Sequence, residues 1–209
     1  TVLFTMTMVS CKQDEPEVKT GIDALIAEGV LTGELDHAVT LDASVVYKLS
    51  GTFIVKDGAV LNIPAGTTIK ASEGFGTYIL VLQGGKINAN GTAAKPVTLT
   101  SDDANTTKAS GYWGGLIING KAKISGVTGT VATASCEMNA KYSYGGNDDA
   151  DNSGSITYLK IEYAGARSSA EVEHNGLTLD AVGSGTTIEN IFILESADDG
   201  VEFFGGTVN

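Results

Sequence analysis

One segment of this chain repeats without a gap, and that repeat restricts the possible folds more than any other feature of the sequence. Residues 53–63 align on residues 79–89, 26 positions later, with apolar residues matching at alternate positions and Gly58 matching Gly84. A strand–turn–strand unit that returns whole after roughly two dozen residues is typical of a chain that completes one coil and lies parallel on the previous one. A sandwich would instead join antiparallel neighbours through short hairpins.

Short apolar alternations, separated by Gly, Asn or Asp, continue along the rest of the chain. They predict further strands at 97–100, 116–118, 156–163, 177–180, 191–194 and 201–203. The interval from Ile156 to Leu177 is interpreted as one more coil. The 27 glycines fit a protein with many turns. The sequence therefore predicts an all-β fold, a single-stranded parallel β-helix or solenoid over residues 47–209.

Two segments depart from the rhythm of the coil. Residues 12–46 are predicted to form an acidic tether and an N-terminal cap, and residues 125–153 a long loop with its polar tip at 142–154. The sequence stops at Asn209 within a strand-like alternation, without a polar cap. Because an uncapped coil exposes an unpaired edge, we expect the natural protein to continue and the β-helix to be C-terminally incomplete.

The start of the chain resembles the end of a bacterial lipoprotein signal peptide. Residues 1–10 carry no charge, Ser10 precedes Cys11, and three acidic residues lie between positions 14 and 17. We expect residues 1–11 to be a signal remnant with lipid attached to Cys11. A buried first strand followed by a polar loop is the alternative. With Cys11 lipidated, Cys136 has no disulfide partner and is expected to be a small buried packing residue.

The charge balance excludes some classes of partner. The chain has 25 acidic and 13 basic residues, a net charge of −12. Nucleic-acid binding needs clustered cations, so no nucleic-acid partner is expected. A polyuronate would be repelled unless Ca²⁺ bridged it to the protein. A lyase also needs a basic residue that takes a proton, and Arg167 is the only arginine.

Several segments together resemble one group of proteins. They include LNIPAGTTI at 61–69, WGGLIINGKA at 113–122 and ADDGVEFFGGTV at 197–208, with 87–97, 144–154 and 175–179. These segments are similar to surface lipoproteins and secreted proteins of Bacteroidota and other Gram-negative bacteria. The resemblance implies a right-handed parallel β-helix, anchored in the outer membrane through lipid on Cys11 and exposed at the cell surface. It implies no activity.

One acidic turn has the spacing of a calcium loop. Asp149, Asp151 and Ser153 place oxygen atoms at positions one, three and five, and Gly154 follows at position six. Lys160 occupies the position where a bidentate Glu is expected. Ca²⁺ is therefore the candidate cofactor, and a solvated turn is the alternative.

Two further sets of residues are candidates for carbohydrate chemistry. Asp198, Asp199 and Glu202 resemble the carboxylates that β-helix polysaccharide hydrolases place on one face, although a surface turn or a second cation site is the alternative. Trp113, Tyr142 and Tyr144 are candidates for an aromatic platform under a sugar ring. The alternative for Trp113 is packing at a corner of the coil.

Taken together, these patterns favour a non-enzymatic cell-surface lipoprotein whose β-helix serves as a scaffold for adhesion or glycan binding. Its expected partner is an extracellular glycan or another surface molecule. The alternative is a carbohydrate-active enzyme, a hydrolase or lyase, that acts through acidic residues on the face of the helix.

Overall fold

The computed structural model describes residues 21–103, 109–124, 132–169 and 172–209, so the predicted lipid anchor at Cys11 lies outside the described residues. The elements are α1 (Ile22–Ala27), β1 (Val30–Leu35), β2 (Ala38–Thr40), β3 (Val46–Val55), β4 (Val60–Pro64), β5 (Thr68–Ala71), β6 (Ile79–Val81), β7 (Lys86–Asn90), β8 (Val97–Ser101), β9 (Leu116–Asn119), β10 (Ala132–Cys136), β11 (Asn139–Gly146), β12 (Gly154–Glu162), β13 (Leu177–Asp180), β14 (Thr187–Leu194) and β15 (Val201–Phe204). No helix among these residues combines the length and the hydropathy needed to cross a bilayer.

Thirteen strands of the described residues pair in parallel as one sheet that winds into a coil with three faces. Face A consists of β2, β4, β7 and the first halves of β12 and β14. Face B consists of the first half of β3, then β5, β8 and the second halves of β12 and β14. Face C consists of the second half of β3, then β6, β9, β13 and β15. The remaining strand, β1, pairs with both halves of β3 and so belongs to faces B and C. The protein is an all-β parallel β-helix, as the repeat predicts.

The observed register confirms the alignment of the repeat. Phe53 pairs with Ile79 on face C, and Leu61 pairs with Ile87 on face A, both at the predicted offset. Their side chains point inward and are fully buried in one continuous core. Each coil removes its inward apolar surface from water against the coils above and below, at about 25 cal/mol per Å².

One of the predicted coils, from Ile156 to Leu177, has the wrong strand pairing. Ile156 pairs with Ile188 on face A, whereas Leu177 pairs with Leu116 and Val201 on face C. Ile156 and Leu177 thus lie on different faces of the same coil, because β12 runs from face A onto face B before the chain reaches β13.

The parallel stack also begins earlier in the chain than the predicted boundary at Tyr47. Strands β1 and β2 fall within the segment predicted to be tether and cap, yet they pair in parallel with β3 and β4. Helix α1 packs Ile22 and Ile26 against the same core. The first coil is therefore built by residues that lack the clear repeat of the later coils.

The segment predicted as a long loop contains an antiparallel hairpin, formed by β10 and β11. Residues 125–131 of that segment lie outside the described residues. The hairpin turns at Glu137–Met138, so the predicted tip of the loop at 142–154 instead comprises the end of β11 and the connection to β12. Cys136 and Tyr144 of the hairpin join a second apolar cluster with Leu80 and Ile117, which point outward from face C. The hairpin thus covers the outer side of face C.

Candidate functional site

Face C and the hairpin enclose a cleft of about 280 Å³. Its lining combines carboxylates, amide and hydroxyl groups with apolar and aromatic side chains: Ile117, Ser135, Cys136, Glu137, Met138, Tyr144, Glu173, Asn175, Thr178, Asp180 and Phe204. Such a mixture of apolar walls and a few polar groups is common in small-molecule sites.

The floor of the cleft is formed where the outward side chains of face C change from apolar to polar. Ile54, Leu80 and Ile117 stack in register on successive strands, and the next two positions of the same column are Thr178 and Glu202. The parallel sheet holds each position at the strand spacing of about 4.8 Å. The polar groups therefore stand on a rigid floor whose apolar part anchors the hairpin.

Asp180 lies in the neighbouring outward column, between Asn119 and Phe204. Its side chain is part of the cleft, and the residue is only 2% exposed. Burial first, and then the charge of Glu202, raise the pKa of Asp180 to about 7. A carboxyl group with this pKa can donate or accept a proton at neutral pH.

Two more carboxyl groups near Asp180 have pKa values above their ordinary range. Burial is the main cause that raises the pKa of Glu202, and the charge of Glu137 adds to it. Burial also raises the pKa of Glu137, followed by the charges of Glu173 and Asp198. The site therefore brings together three carboxyl groups, of which Asp180 is buried, Glu202 is half-buried and Glu137 is exposed.

Asn175 connects these groups through its side-chain amide. The amide nitrogen donates to Glu202 and to Thr178 Oγ1, the latter at 3.3 Å. The amide oxygen Oδ1 is buried and has no hydrogen-bond partner. A buried acceptor without a donor is unfavourable, so this atom is available to a ligand that donates a hydrogen bond.

Two aromatic rings and a thiol also line the cleft, Tyr144 and Cys136 from the hairpin and Phe204 from β15 of face C. Tyr144 and Phe204 have ring centroids 6.2 Å apart, a tilted aromatic pair. Burial and the nearby Asp180 raise the pKa of Tyr144 to about 12, so its hydroxyl stays neutral. Burial likewise raises the pKa of Cys136 to about 11, so its thiol is protonated and a poor nucleophile.

Comparison with protein families gives one result that covers most of the chain. Residues 33–209 match the family model described as a pectate-lyase-like β-helix domain. The chain belongs to this family. No curated protein matches the chain, and no solved structure matches it either. A pectate-lyase-like β-helix domain is a fold that fits a carbohydrate-related scaffold.

The three carboxylates predicted for this β-helix domain have different environments. Asp198 Oδ1 accepts a hydrogen bond from Arg167 at 2.7 Å, which neutralises it. Asp199 is exposed, and its backbone oxygen accepts from Ser196 Oγ. Of the three, Glu202 lies at the edge of the cleft, where the side-chain amide nitrogen of Asn175 donates to it and Thr178 is its neighbour on the adjacent strand.

The predicted aromatic platform is wrong for Trp113. Its side chain is 0% exposed and belongs to the inner core, and its Nε1–H donates to the backbone oxygen of Glu162 at 2.9 Å. Tyr144 lines the cleft, whereas the hydroxyl of Tyr142 contacts Glu34 at 3.4 Å. Trp113 therefore packs at a corner of the coil, the alternative that its sequence context left open.

The predicted calcium ligands lie in the turn before β12. Asp149 Oδ2 accepts a hydrogen bond from Lys123 Nζ at 2.7 Å, and Asp151 Oδ2 accepts one from Ser153 Oγ at 3.2 Å. Among the residues that the structure describes, no group of three His, Cys, Asp or Glu side chains is arranged to hold a metal ion. A cation would have to displace Lys123 from Asp149, and the calcium site stays a prediction.

His174 precedes Asn175 in the chain and packs against Phe75 and Tyr78. Its Nε2–H donates to the backbone oxygen of Phe75 at 2.9 Å, and its ring lies 4.6 Å from the Phe75 ring and 4.9 Å from that of Tyr78. Burial lowers the pKa of His174 to about 4, so the ring is neutral at neutral pH. This neutral ring fixes the loop that places Asn175.

The sequence of β13 carries a signal for the cleft. In the segment 177–180, Thr178 and Asp180 alternate with Leu177 and Leu179, so both polar residues belong on one side of β13. That side faces outward, and it would be exposed to solvent if no other segment covered the strand. The hairpin makes it a cleft, and its docking on face C is not visible in the local pattern.

Proposed function

We propose that this protein is a non-enzymatic, cell-surface β-helix that binds a carbohydrate in the cleft between face C and the hairpin. Lipid on Cys11 anchors it in the outer membrane of a Gram-negative bacterium. The proposal joins the family of the chain, which fits a carbohydrate-related scaffold, with the composition of the cleft.

The observation that carries the proposal is the pairing of aromatic and polar groups around one cavity. Tyr144 and Phe204 offer ring surfaces to the carbon skeleton of a sugar. Near these rings, Thr178, Asp180 and Asn175 offer hydroxyl, carboxyl and amide groups to its hydroxyls. Sugars bind through this combination of apolar contact and directed hydrogen bonds.

The binding proposal is tested with a glycan array, followed by calorimetry on the glycans that bind. Thr178→Val keeps the shape of the side chain and removes its hydroxyl, so we expect affinity to fall about three- to tenfold. Thr98→Val, on face B, is the matched control and should leave affinity unchanged. Unchanged affinity in Thr178→Val would place the site elsewhere, and an array without any bound glycan would contradict the proposed function.

The second candidate function, hydrolysis of a polysaccharide, has one observation in its favour. Asp180 has a pKa of about 7 beside Glu202, and two carboxyl groups in unlike environments can divide the roles of acid and base. Release of reducing or unsaturated sugar ends from the bound glycans distinguishes the two functions. Turnover that Asp180→Asn abolishes would replace the binding proposal by the enzymatic one.

The proposed anchor is tested in cells that express the full-length gene. Wild-type protein is expected in the outer-membrane fraction and accessible to protease on intact cells. Cys11→Ala should move it to the soluble fraction. Soluble wild-type protein, or a Cys11→Ala variant that stays in the membrane, would contradict the anchor without affecting the proposed binding.

A further inference from the structure

The charges around the cleft have one sign. Glu137, Glu173 and Asp180 line it, and Glu202 reaches its edge through the hydrogen bond from Asn175. The described residues that line the cleft include no lysine and no arginine.

The arginine that approaches these carboxylates is already paired. Arg167 Nη2 donates to Asp198 Oδ1 at 2.7 Å, and its Nε lies 3.7 Å from Glu173 Oε2. Its ion pairs leave Asp180 and Glu202 without a cationic partner among the described residues. The cleft therefore holds carboxylates that a positive ligand would stabilise and a negative ligand would oppose.

A second, independent observation specifies a hydrogen-bond donor. Asn175 is 2% exposed and lines the cleft, and its Oδ1 has no hydrogen-bond partner. The amide nitrogen is already used by Glu202 and Thr178, which fixes the direction of the amide. A ligand group that enters the cleft therefore meets an unpaired acceptor beside the carboxylates.

The apolar wall excludes a bare ion as the best occupant. Met138 and Tyr144 of the hairpin, and Phe204 next to Asp180 on face C, give the cleft apolar surface that gains nothing from a hydrated cation. A ligand that carries both a carbon ring and a cationic donor can cover the apolar surface and pair with the carboxylates at once. The volume of about 280 Å³ suits one or two such rings.

We propose that the cleft binds a glycan with free, protonated amino groups, that is, one containing deacetylated hexosamine units. The ammonium group lies among Asp180, Glu202 and Asn175 Oδ1, and the sugar ring packs on Tyr144 and Phe204. This inference rests on the proposed glycan binding and names the class of glycan.

The test compares four tetrasaccharides of similar size by calorimetry at neutral pH and low ionic strength. They are the glucosamine tetramer, its fully N-acetylated form, the neutral glucose tetramer and the galacturonate tetramer. We expect the glucosamine tetramer to bind about tenfold more tightly than the acetylated and neutral forms, because charge-assisted hydrogen bonds are roughly twice as strong as neutral ones. The galacturonate tetramer should not bind.

Two variants that each remove one charge test whether the carboxylates of the cleft cause the preference for the glucosamine tetramer. Asp180→Asn and Glu202→Gln should each reduce the preference for the glucosamine tetramer over its acetylated form by about threefold or more. Glu189→Gln, an exposed change of the same kind on β14, should leave the preference unchanged. An equal preference in all variants would overturn the placement of the amino group.

The outcomes separate this inference from the proposed function. Equal binding of the glucosamine, acetylated and glucose tetramers overturns the amino-sugar inference and leaves glycan binding intact. A lysine tetrapeptide that binds as tightly as the glucosamine tetramer also overturns it, because the ring would then contribute nothing. If no tetrasaccharide binds and the glycan array is empty as well, the proposed function fails with the inference.

Discussion

At the scale of single residues, Asp180 is the group whose chemistry depends most on its surroundings. It is nearly fully buried on the outer side of β13, and its pKa of about 7 follows from burial and from the charge of Glu202. In an unfolded chain the same carboxyl group has its ordinary pKa of 3.8. Folding therefore raises the proton affinity of Asp180, and ionising it disfavours the folded state.

This difference predicts the pH dependence of stability. Between the two pKa values the folded state binds more protons than the unfolded state, so the contribution of Asp180 to stability falls as pH rises from about 4 to about 7. His174, with its lowered pKa of about 4, destabilises the fold as pH falls below 6.5, the opposite direction. The two effects overlap below pH 6.5. Above it, His37 also contributes, because its hydrogen bonds with Asp36 and Asp23 raise its pKa, so comparison with Asp180→Asn isolates the effect of Asp180.

We predict that wild-type protein loses about 1 kcal/mol more stability than Asp180→Asn between pH 6.5 and about pH 8, a difference of about 2–4 °C in melting temperature. Thermal melting followed by circular dichroism at several pH values measures it. Asp57→Asn, an exposed change of the same type, should follow the wild type. Parallel curves for wild type and Asp180→Asn would show that Asp180 is not the buried acid of the cleft.

At the scale of elements, the hairpin decides what the outer side of face C becomes. Leu80 and Ile117 point away from the coil, yet both are buried because β10 and β11 pack on them. On face B, which has no such cover at Val46, the outward side chain is 59% exposed. A position of the same type thus contributes to a second core or to the surface, depending on a segment elsewhere in the chain.

We predict that Ile117→Ala destabilises the protein by about 2–4 kcal/mol, close to the effect of Ile118→Ala in the inner core, because both changes leave a cavity. Val46→Ala, at an outward position without cover, should cost less than about 0.5 kcal/mol. Urea unfolding of the three variants measures the differences. An effect of Ile117→Ala as small as that of Val46→Ala would mean that the hairpin does not pack on face C in solution.

At the scale of the whole molecule, the three faces share one core but differ on their outer sides. Face A carries a ladder of polar side chains, in which Asn88 donates to Asn62 Oδ1 at 2.8 Å and Asn62 donates to Thr40 Oγ1 at 3.3 Å. Face C carries the hairpin and the cleft. In the last coil the inward residues Val201 and Phe203 are 37% and 58% exposed, whereas α1 packs on the first coil.

The acidic character of the whole molecule gives the last prediction, that Ca²⁺ binds the turn of Asp149, Asp151 and Ser153. Ca²⁺ at about ten times its dissociation constant should then stabilise the fold by about 1.4 kcal/mol and raise the melting temperature by about 3–5 °C. Asp149→Asn should not respond. A melting temperature that neither Ca²⁺ nor EDTA changes, together with a calorimetric titration without heat, would contradict the calcium site.

The repeat at Phe53 and Ile79 was sufficient to predict the parallel coil and its register, because side chains at equal spacing in successive coils must stack to be buried. The same pattern does not reveal where turns lengthen, so Ile156 was matched with Leu177 and not with its true partner, Ile188. Alternation of apolar and polar residues shows which side chains point outward from the coil, but not which segment covers them. The cleft around Asp180 and Asn175 was decided by the tertiary structure alone, since it exists only where the hairpin docks on face C.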